Sequence, residues 1–189
     1  MSGWNCLLRT VSALMLLSGA SSVIGAALPN AAGVIYGRGV LGSHLGRRSY
    51  AGIDYDRDLP ARWQSLLPWR LAGYTEFSFS RWGGCYGARC EYINDIGLVP
   101  VLRATSKMNS GRAWYIDFGV GLHVISRTRI GPQVYSTGLQ FSEIGGIGLL
   151  FGPQQRYDVG LRYRHESNGD WKTPNDGMNF LLLRFALRW

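Results

Sequence analysis

Alternation of apolar and polar side chains at period 2, the mark of a strand with one face buried, runs through this chain from residue 33 to residue 189. From Tyr157 the odd positions carry Tyr157, Val159, Leu161, Tyr163, His165 and Ser167, against Asp158, Gly160, Arg162, Arg164 and Glu166 at the even ones. The closing stretch repeats the pattern, with Asn179, Leu181, Leu183, Phe185, Leu187 and Trp189 on one face and Phe180, Leu182, Arg184, Ala186 and Arg188 on the other. Segments of this kind span 33–44, 48–57, 69–82, 92–104, 113–126, 139–152, 156–167 and 178–189. Clusters of Gly, Pro, Asn and Ser between them mark turns. The pattern predicts eight antiparallel strands, and only 57–68, RDLPARWQSLLP, reads differently, with room for a short helix.

In the last hairpin, His165, Ser167 and Asn179 sit on the greasy face. Polar groups suited to acyl transfer, placed at the end of an apolar stripe, are out of place in a soluble core and at home at a membrane surface. After residue 27 no segment approaches the ~18 consecutive apolar residues of a membrane helix, whereas barrel strands need only about 9–11 residues each. Closing the sheet satisfies edge backbone groups that lipid would leave without partners. The expected fold is therefore all-β, an eight-stranded antiparallel transmembrane β-barrel of the bacterial outer membrane. Trp189, ending an apolar stripe, matches the C-terminal aromatic of such barrels. A soluble eight-stranded barrel with its apolar stripes turned inward is the competing architecture. Either barrel is filled by its own side chains, which argues against a transport pore.

The first 27 residues read as a secretory signal, in which Arg9 precedes an apolar stretch from Val11 to Ile24 and Gly25, Ala26 and Ala27 offer a cleavage site. Ser18, Gly19, Ser21 and Ser22 break that stretch and argue against a retained transmembrane helix. The expected organisation is a cleaved signal over 1–27 and one barrel over 28–189. The 26 glycines and 13% aromatics suit curved, closely packed strands with aromatic girdles, and Trp69, Trp82, Trp114 and Trp189 read as belt or wall residues. Cys6 leaves with the signal. Cys85 and Cys90 lie in a Gly-rich turn, either as a loop-closing disulfide in an oxidising compartment or as two free thiols. No Cys or His cluster accompanies them, so no metal is expected.

The formal charge of +8 is dispersed, with Arg47, Arg48, Arg127 and Arg129 in or near loops and no single basic run. Export argues against a nucleic-acid partner. An anionic, phosphate-bearing lipid surface suits the charge, with ordinary solvated loop charge as the plain alternative. His44 and His123 have no carboxylate or Cys pattern beside them in the sequence and read as structural or interfacial. Arg162 and Arg164 are expected to face inward with Asp158 and Glu166 as a polar lining.

With a periplasmic N-terminus the seventh strand runs outward, the eighth returns, and 168–177 is an extracellular loop. His165, Ser167 and Asn179 then gather at the outer rim on the lipid side, where the ester bonds of outer-leaflet lipids lie. Ser becomes a nucleophile when a base takes its proton and a third group holds the base. Residues i and i+2 of a strand share a face at roughly 7 Å between Cα atoms, a gap side chains bridge. H-x-S alone arises by chance. In the segment HESNGDWKTPNDGMNF, however, His165, Ser167, Asn168, Pro174, Asn175 and Gly177 together resemble the lipid A 3-O-deacylases, PagL-type outer-membrane esterases. Weaker similarity in LAGYTEFSFSRWGG and FSEIGGIGLLFG extends the resemblance through the barrel. It implies an eight-stranded barrel that hydrolyses the ester-linked 3-hydroxyacyl chain at position 3 of lipid A, without metal or cofactor. It further implies Ser167 as nucleophile and His165 as general base, with Asn175 and a backbone N–H near Gly169 or Asp170 at the oxyanion.

The family carries an acidic third member where this chain has Asn179. Glu166 neighbours the base but belongs to the opposite face, and Asp170 and Asp176 lie in the loop. Asn179 itself is the preferred orienter, its amide oxygen accepting the Nδ1–H of His165. A neutral amide fixes the tautomer yet stabilises an imidazolium less than a carboxylate does, which predicts a working enzyme of modest turnover. The expected partners are lipid A and lipopolysaccharide of the outer leaflet, in a membrane-embedded protein, with homodimerisation left open. Competing functions are a structural or adhesion barrel, an inactive family member, and an outer-membrane phospholipase.

Overall fold

A computed structural model describes residues 31–40, 49–58, 69–86 and 88–189. All eight expected strands are present: β1 (Ala31–Gly39), β2 (Ser49–Asp58), β3 (Arg70–Tyr86), β4 (Arg89–Thr105), β5 (Ala113–Ile125), β8 (Leu139–Phe151), β9 (Tyr157–Ser167) and β10 (Met178–Arg188). Two further strands, β6 (Arg129–Ile130) and β7 (Gln133–Val134), form a small ladder inside the β5–β8 connection. The eight long strands close into one antiparallel barrel in the order β1-β10-β9-β8-β5-β4-β3-β2. β3 and β4 each reach 17 residues and outrun the alternation, because Gly83, Gly84 and Cys85 blur it near their hairpin. Cys85 and Cys90 face each other across that hairpin and are joined as a disulfide. The signal segment with Cys6, and His44, Arg47 and Arg48, lie outside the described residues; of the stretch 57–68 expected to hold a short helix, Arg57 and Asp58 end β2 and 59–68 lie outside the described residues.

The alternation becomes an inside and an outside. Outward positions such as Phe79, Ile96, Leu98, Phe118, Ile147, Leu161 and Leu183 are exposed, as a lipid-facing wall requires. Inward positions are buried and largely charged. Arg103 bridges Asp117 at 2.7 Å and Asp158 at 2.8 Å. Arg162 pairs with Glu76 and with Asp117 at 3.0 Å. Arg184 pairs with Asp54, with Asp56 at 2.6 Å and with Asp158 at 3.0 Å. Arg164 bonds Glu76 at 3.0 Å and the Tyr50 hydroxyl at 2.6 Å. The interior is thus a cross-strand ionic lattice, and buried charges in such a place persist because each meets an opposite one.

At the end of the barrel that bears the 168–177 loop, the lining turns apolar. Trp82, Tyr135 and Phe180 meet edge to face, with ring centroids 5.9 and 5.4 Å from Trp82, among buried Ile35, Ile93 and Leu182. This corrects the expectation for Trp82, which is fully buried inside the barrel and takes no place in a membrane belt. It shares the inward parity of Tyr74, Glu76, Ser78 and Ser80, whereas Trp114 and Trp189 are exposed.

Candidate active site

Register places the candidate residues in rows on the outer wall. Ser167 on β9 lies opposite Phe141 on β8. One row below, Val120, Glu143, His165 and Asn179 run side by side across β5, β8, β9 and β10. The next row is Phe118, Gly145, Tyr163 and Leu181. Ser167, His165 and Asn179 are all half-buried on this outward face, while Glu166 between the first two points inward and is fully buried.

His165 Nδ1 lies 2.8 Å from Asn179 Oδ1. An amide oxygen only accepts, so this contact puts the ring proton on Nδ1 and leaves Nε2 as the basic nitrogen. The Tyr163 hydroxyl donates to the same Oδ1 at 2.5 Å, which fixes the amide from its other side. Sequence reasoning missed Tyr163, which reads as one more lipid-facing aromatic. Gly177 closes the site near the ring: its φ is +56°, and a Cβ there would stand 3.2 Å from His165 Cε1. Ser167 Oγ makes no hydrogen bond among the described residues; such bonds tighten in substrate complexes.

The 168–177 loop is built around Asn168, which is buried and whose Nδ2 donates to the carbonyls of Tyr135 at 2.9 Å and Lys172 at 2.7 Å. Asn175 Oδ1 accepts the Asn168 N–H at 3.2 Å, and its Nδ2 donates to Asp170 Oδ1 at 3.0 Å. Asp176 accepts the Val134 N–H at 2.7 Å. Both loop carboxylates are therefore held by the loops, and neither bonds His165. Gly169 and Asp170 take left-handed backbone, with φ of 64° and 60°, and their N–H groups have no hydrogen-bond partner among the described residues. Trp171 stands edge-on to Phe141 at 4.9 Å, flanking Ser167 with exposed aromatic surface.

Below His165 a groove of about 480 Å³ runs down the outer wall between Phe118 and Ile147 on one side and Leu161, Tyr163 and Leu181 on the other. Gly145 forms part of its floor, and a Cβ at that position would meet no atom within 4 Å. The groove starts one row from the histidine and is walled by apolar side chains.

Behind the wall, His123 Nδ1 lies 2.8 Å from Asp95 Oδ1 and 3.5 Å from Glu166 Oε1. This corrects the reading of His123 as lacking a carboxylate neighbour. Its partners come from β4 and β9, beyond the reach of local sequence. Ligand-type atoms of Asp95, His123 and Glu166, and of Asp54, Asp56 and Glu76, lie within 4.8 Å of one another. Arg184 and Arg162 occupy the second group as ion-pair partners, and Ser80 and His123 bond Asp95 in the first.

The closed barrel and its relatives together define an integral outer-membrane β-barrel hydrolase. The chain belongs to the lipid A 3-O-deacylase (PagL) family, whose model matches residues 49–188. It is 31% identical over 137 residues to the lipid A deacylase PagL of Pseudomonas aeruginosa, covering 72% of this chain and 75% of that protein. To the lipid A deacylase PagL of Bordetella bronchiseptica it is 27% identical over 140 residues, with the same coverages. A crystal structure of the outer membrane enzyme PagL superposes with a TM-score of 0.71 at 23% identity, covering 84% of this chain and 99% of that one, and so shares the fold.

Proposed function

We propose that this chain is an outer-membrane lipid A 3-O-deacylase in which Ser167, His165 and Asn179 form a Ser-His-Asn relay on the lipid-facing rim. The observation that carries the reading is the 2.8 Å contact from His165 Nδ1 to Asn179 Oδ1, with Ser167 two residues along the same face. His165 Nε2 takes the Ser167 proton as Oγ attacks the ester carbonyl carbon. The tetrahedral oxyanion meets the N–H groups of Gly169 and Asp170, with Asn175 shaping that turn and offering its second amide proton. Collapse breaks the bond to the sugar oxygen, which leaves with the proton from His165. Water then attacks the acyl-Ser167 ester, gives its proton to His165, and the 3-hydroxy fatty acid departs as Ser167 is regenerated. Residues 1–27 act as the export signal and 28–189 as the mature barrel, which N-terminal sequencing of the membrane-inserted protein checks.

The test is mass spectrometry of lipid A and phospholipids from a host outer membrane expressing the chain. Wild type is expected to remove one 3-hydroxyacyl mass from lipid A and to leave glycerophospholipids intact. Fatty acid released from phospholipids instead would move the assignment to a phospholipase. Asn179→Ala removes a hydrogen bond to a ring that becomes charged, so it is expected to slow the reaction about 10- to 100-fold. An Asn179→Ala rate equal to wild type would remove the amide from the mechanism.

The groove below His165 suits the acyl chain of the scissile ester, because it is lined mainly by apolar side chains, faces lipid and begins one row from the base. Gly145→Leu fills its floor from a position where a Cβ has open space, so the barrel should fold normally while deacylation falls roughly tenfold or more. A folded Gly145→Leu barrel with an unchanged rate and chain-length preference would place the acyl chain elsewhere.

A further inference from the structure

Glu143 is a carboxylate on the lipid-facing wall outside the Ser167, His165 and Asn179 group. It is exposed, stands between Val120 and His165 in its row, and takes part in no hydrogen bond or ion pair among the described residues. An ionised side chain on the outer face of a barrel is unfavourable and is tolerated mainly near the interface. Directly opposed residues in an antiparallel pair hold their Cβ atoms about 4.5–5.5 Å apart on one face. Glu143 is therefore a permanent neighbour of the imidazole, on the flank opposite Asn179.

The chemistry explains why that flank matters. As His165 takes the Ser167 proton its ring becomes positive, and Asn179 answers that charge only with a dipole whose oxygen is already shared with the Tyr163 hydroxyl. The inward carboxylate of Glu166 lies behind the wall, facing His123 and Arg164. At the edge of the hydrocarbon layer, where water is scarce, the field of a carboxylate on the adjoining strand is weakly screened.

Resting on the Ser167–His165 reading, we propose that Glu143 is a positioning and charge-stabilising residue that supplies to His165, from the neighbouring strand, the negative charge that the amide of Asn179 lacks. The division of labour is geometric: Asn179 fixes the tautomer through Nδ1, Glu143 stabilises the imidazolium through space, and Nε2 stays free for Ser167. The effect is confined to the charged state, so it enters kcat and leaves substrate binding alone.

The test uses purified, folded full-length barrel and initial rates on lipid A for wild type, Glu143→Gln, Glu143→Asp, Asn179→Asp and the Asn179→Asp/Glu143→Gln pair, with Ser167→Ala as control. Glu143→Gln is expected to lower kcat about tenfold at unchanged KM, and Glu143→Asp to keep most of the rate. With a carboxylate restored at position 179, Glu143→Gln is expected to cost no more than about twofold, a coupling that a merely structural residue would not show. Equal losses in both backgrounds, a change confined to KM, or a wild-type rate for Glu143→Gln would each overturn the inference. An active Ser167→Ala would instead overturn the reading beneath it, so the two failures are distinguishable.

Discussion

Ser167→Ala is expected to reduce lipid A deacylation on the order of 10³-fold or more while leaving the barrel folded, and His165→Ala to do the same. Each loss removes one half of a single event, the transfer of a proton from Oγ to Nε2 as the ester is attacked. The double variant should therefore be no slower than either single one, because groups that act as a unit are not additive. What survives comes from binding in the groove and from oxyanion contacts. Folding should be untouched, since Ser167 Oγ makes no hydrogen bond among the described residues and both side chains lie on the half-buried outer face. Initial rates on purified protein, with folding checked by gel mobility before and after heating, decide the matter. A Ser167→Ala barrel that still deacylates, or a double variant slower by the product of the two single losses, would break the assignment of these residues to one step.

The eight strands were legible because a barrel in lipid writes its two faces into every strand. Tyr157 to Ser167 and Met178 to Arg188 show lipid-facing and interior positions in strict alternation, and the structure follows them residue by residue. The pairing of His165 with Asn179 was legible for the same reason, since both lie on the outer face of one hairpin. Other features were hidden because they depend on register between distant segments. His123 meets Asp95 and Glu166 only after β4, β5, β8 and β9 are aligned. Glu143 becomes a neighbour of His165 through the β8–β9 register, 22 residues away in sequence. Trp82 looked like a belt residue by type, and its parity with Tyr74 and Glu76 on β3 was the available signal that it faced inward. Tyr163 carried no mark at all, because its role lies in a hydroxyl that reaches across to Asn179.

Replacement of Arg184 by Met is expected to destabilise the barrel by about 3–5 kcal/mol, a large share of a typical folding free energy. Arg184 is fully buried and is the hydrogen-bond partner of both Asp54 and Asp56, whose remaining oxygens Oδ1 are already without one among the described residues. Asp158, its third partner, keeps Arg103 and Tyr115. The variant thus strands two adjacent carboxylates on β2 inside a closed barrel. The damage comes from uncompensated charge more than from lost packing, because a Met side chain fills much of the same space. Adding Asp54→Asn and Asp56→Asn to Arg184→Met should therefore recover most of the stability, while Arg184→Met with only one of the two Asn changes should not match the triple variant. Urea titration of the folded form by gel mobility reads the effect. Activity should fall only in proportion to the folded fraction, since the bonds of Arg184 go to Asp54, Asp56 and Asp158 and to no residue of the relay. An Arg184→Met barrel as resistant to urea as wild type would show that the interior lattice is redundant at this node, and a triple variant no better than Arg184→Met would show that volume, not charge, is what Arg184 contributes.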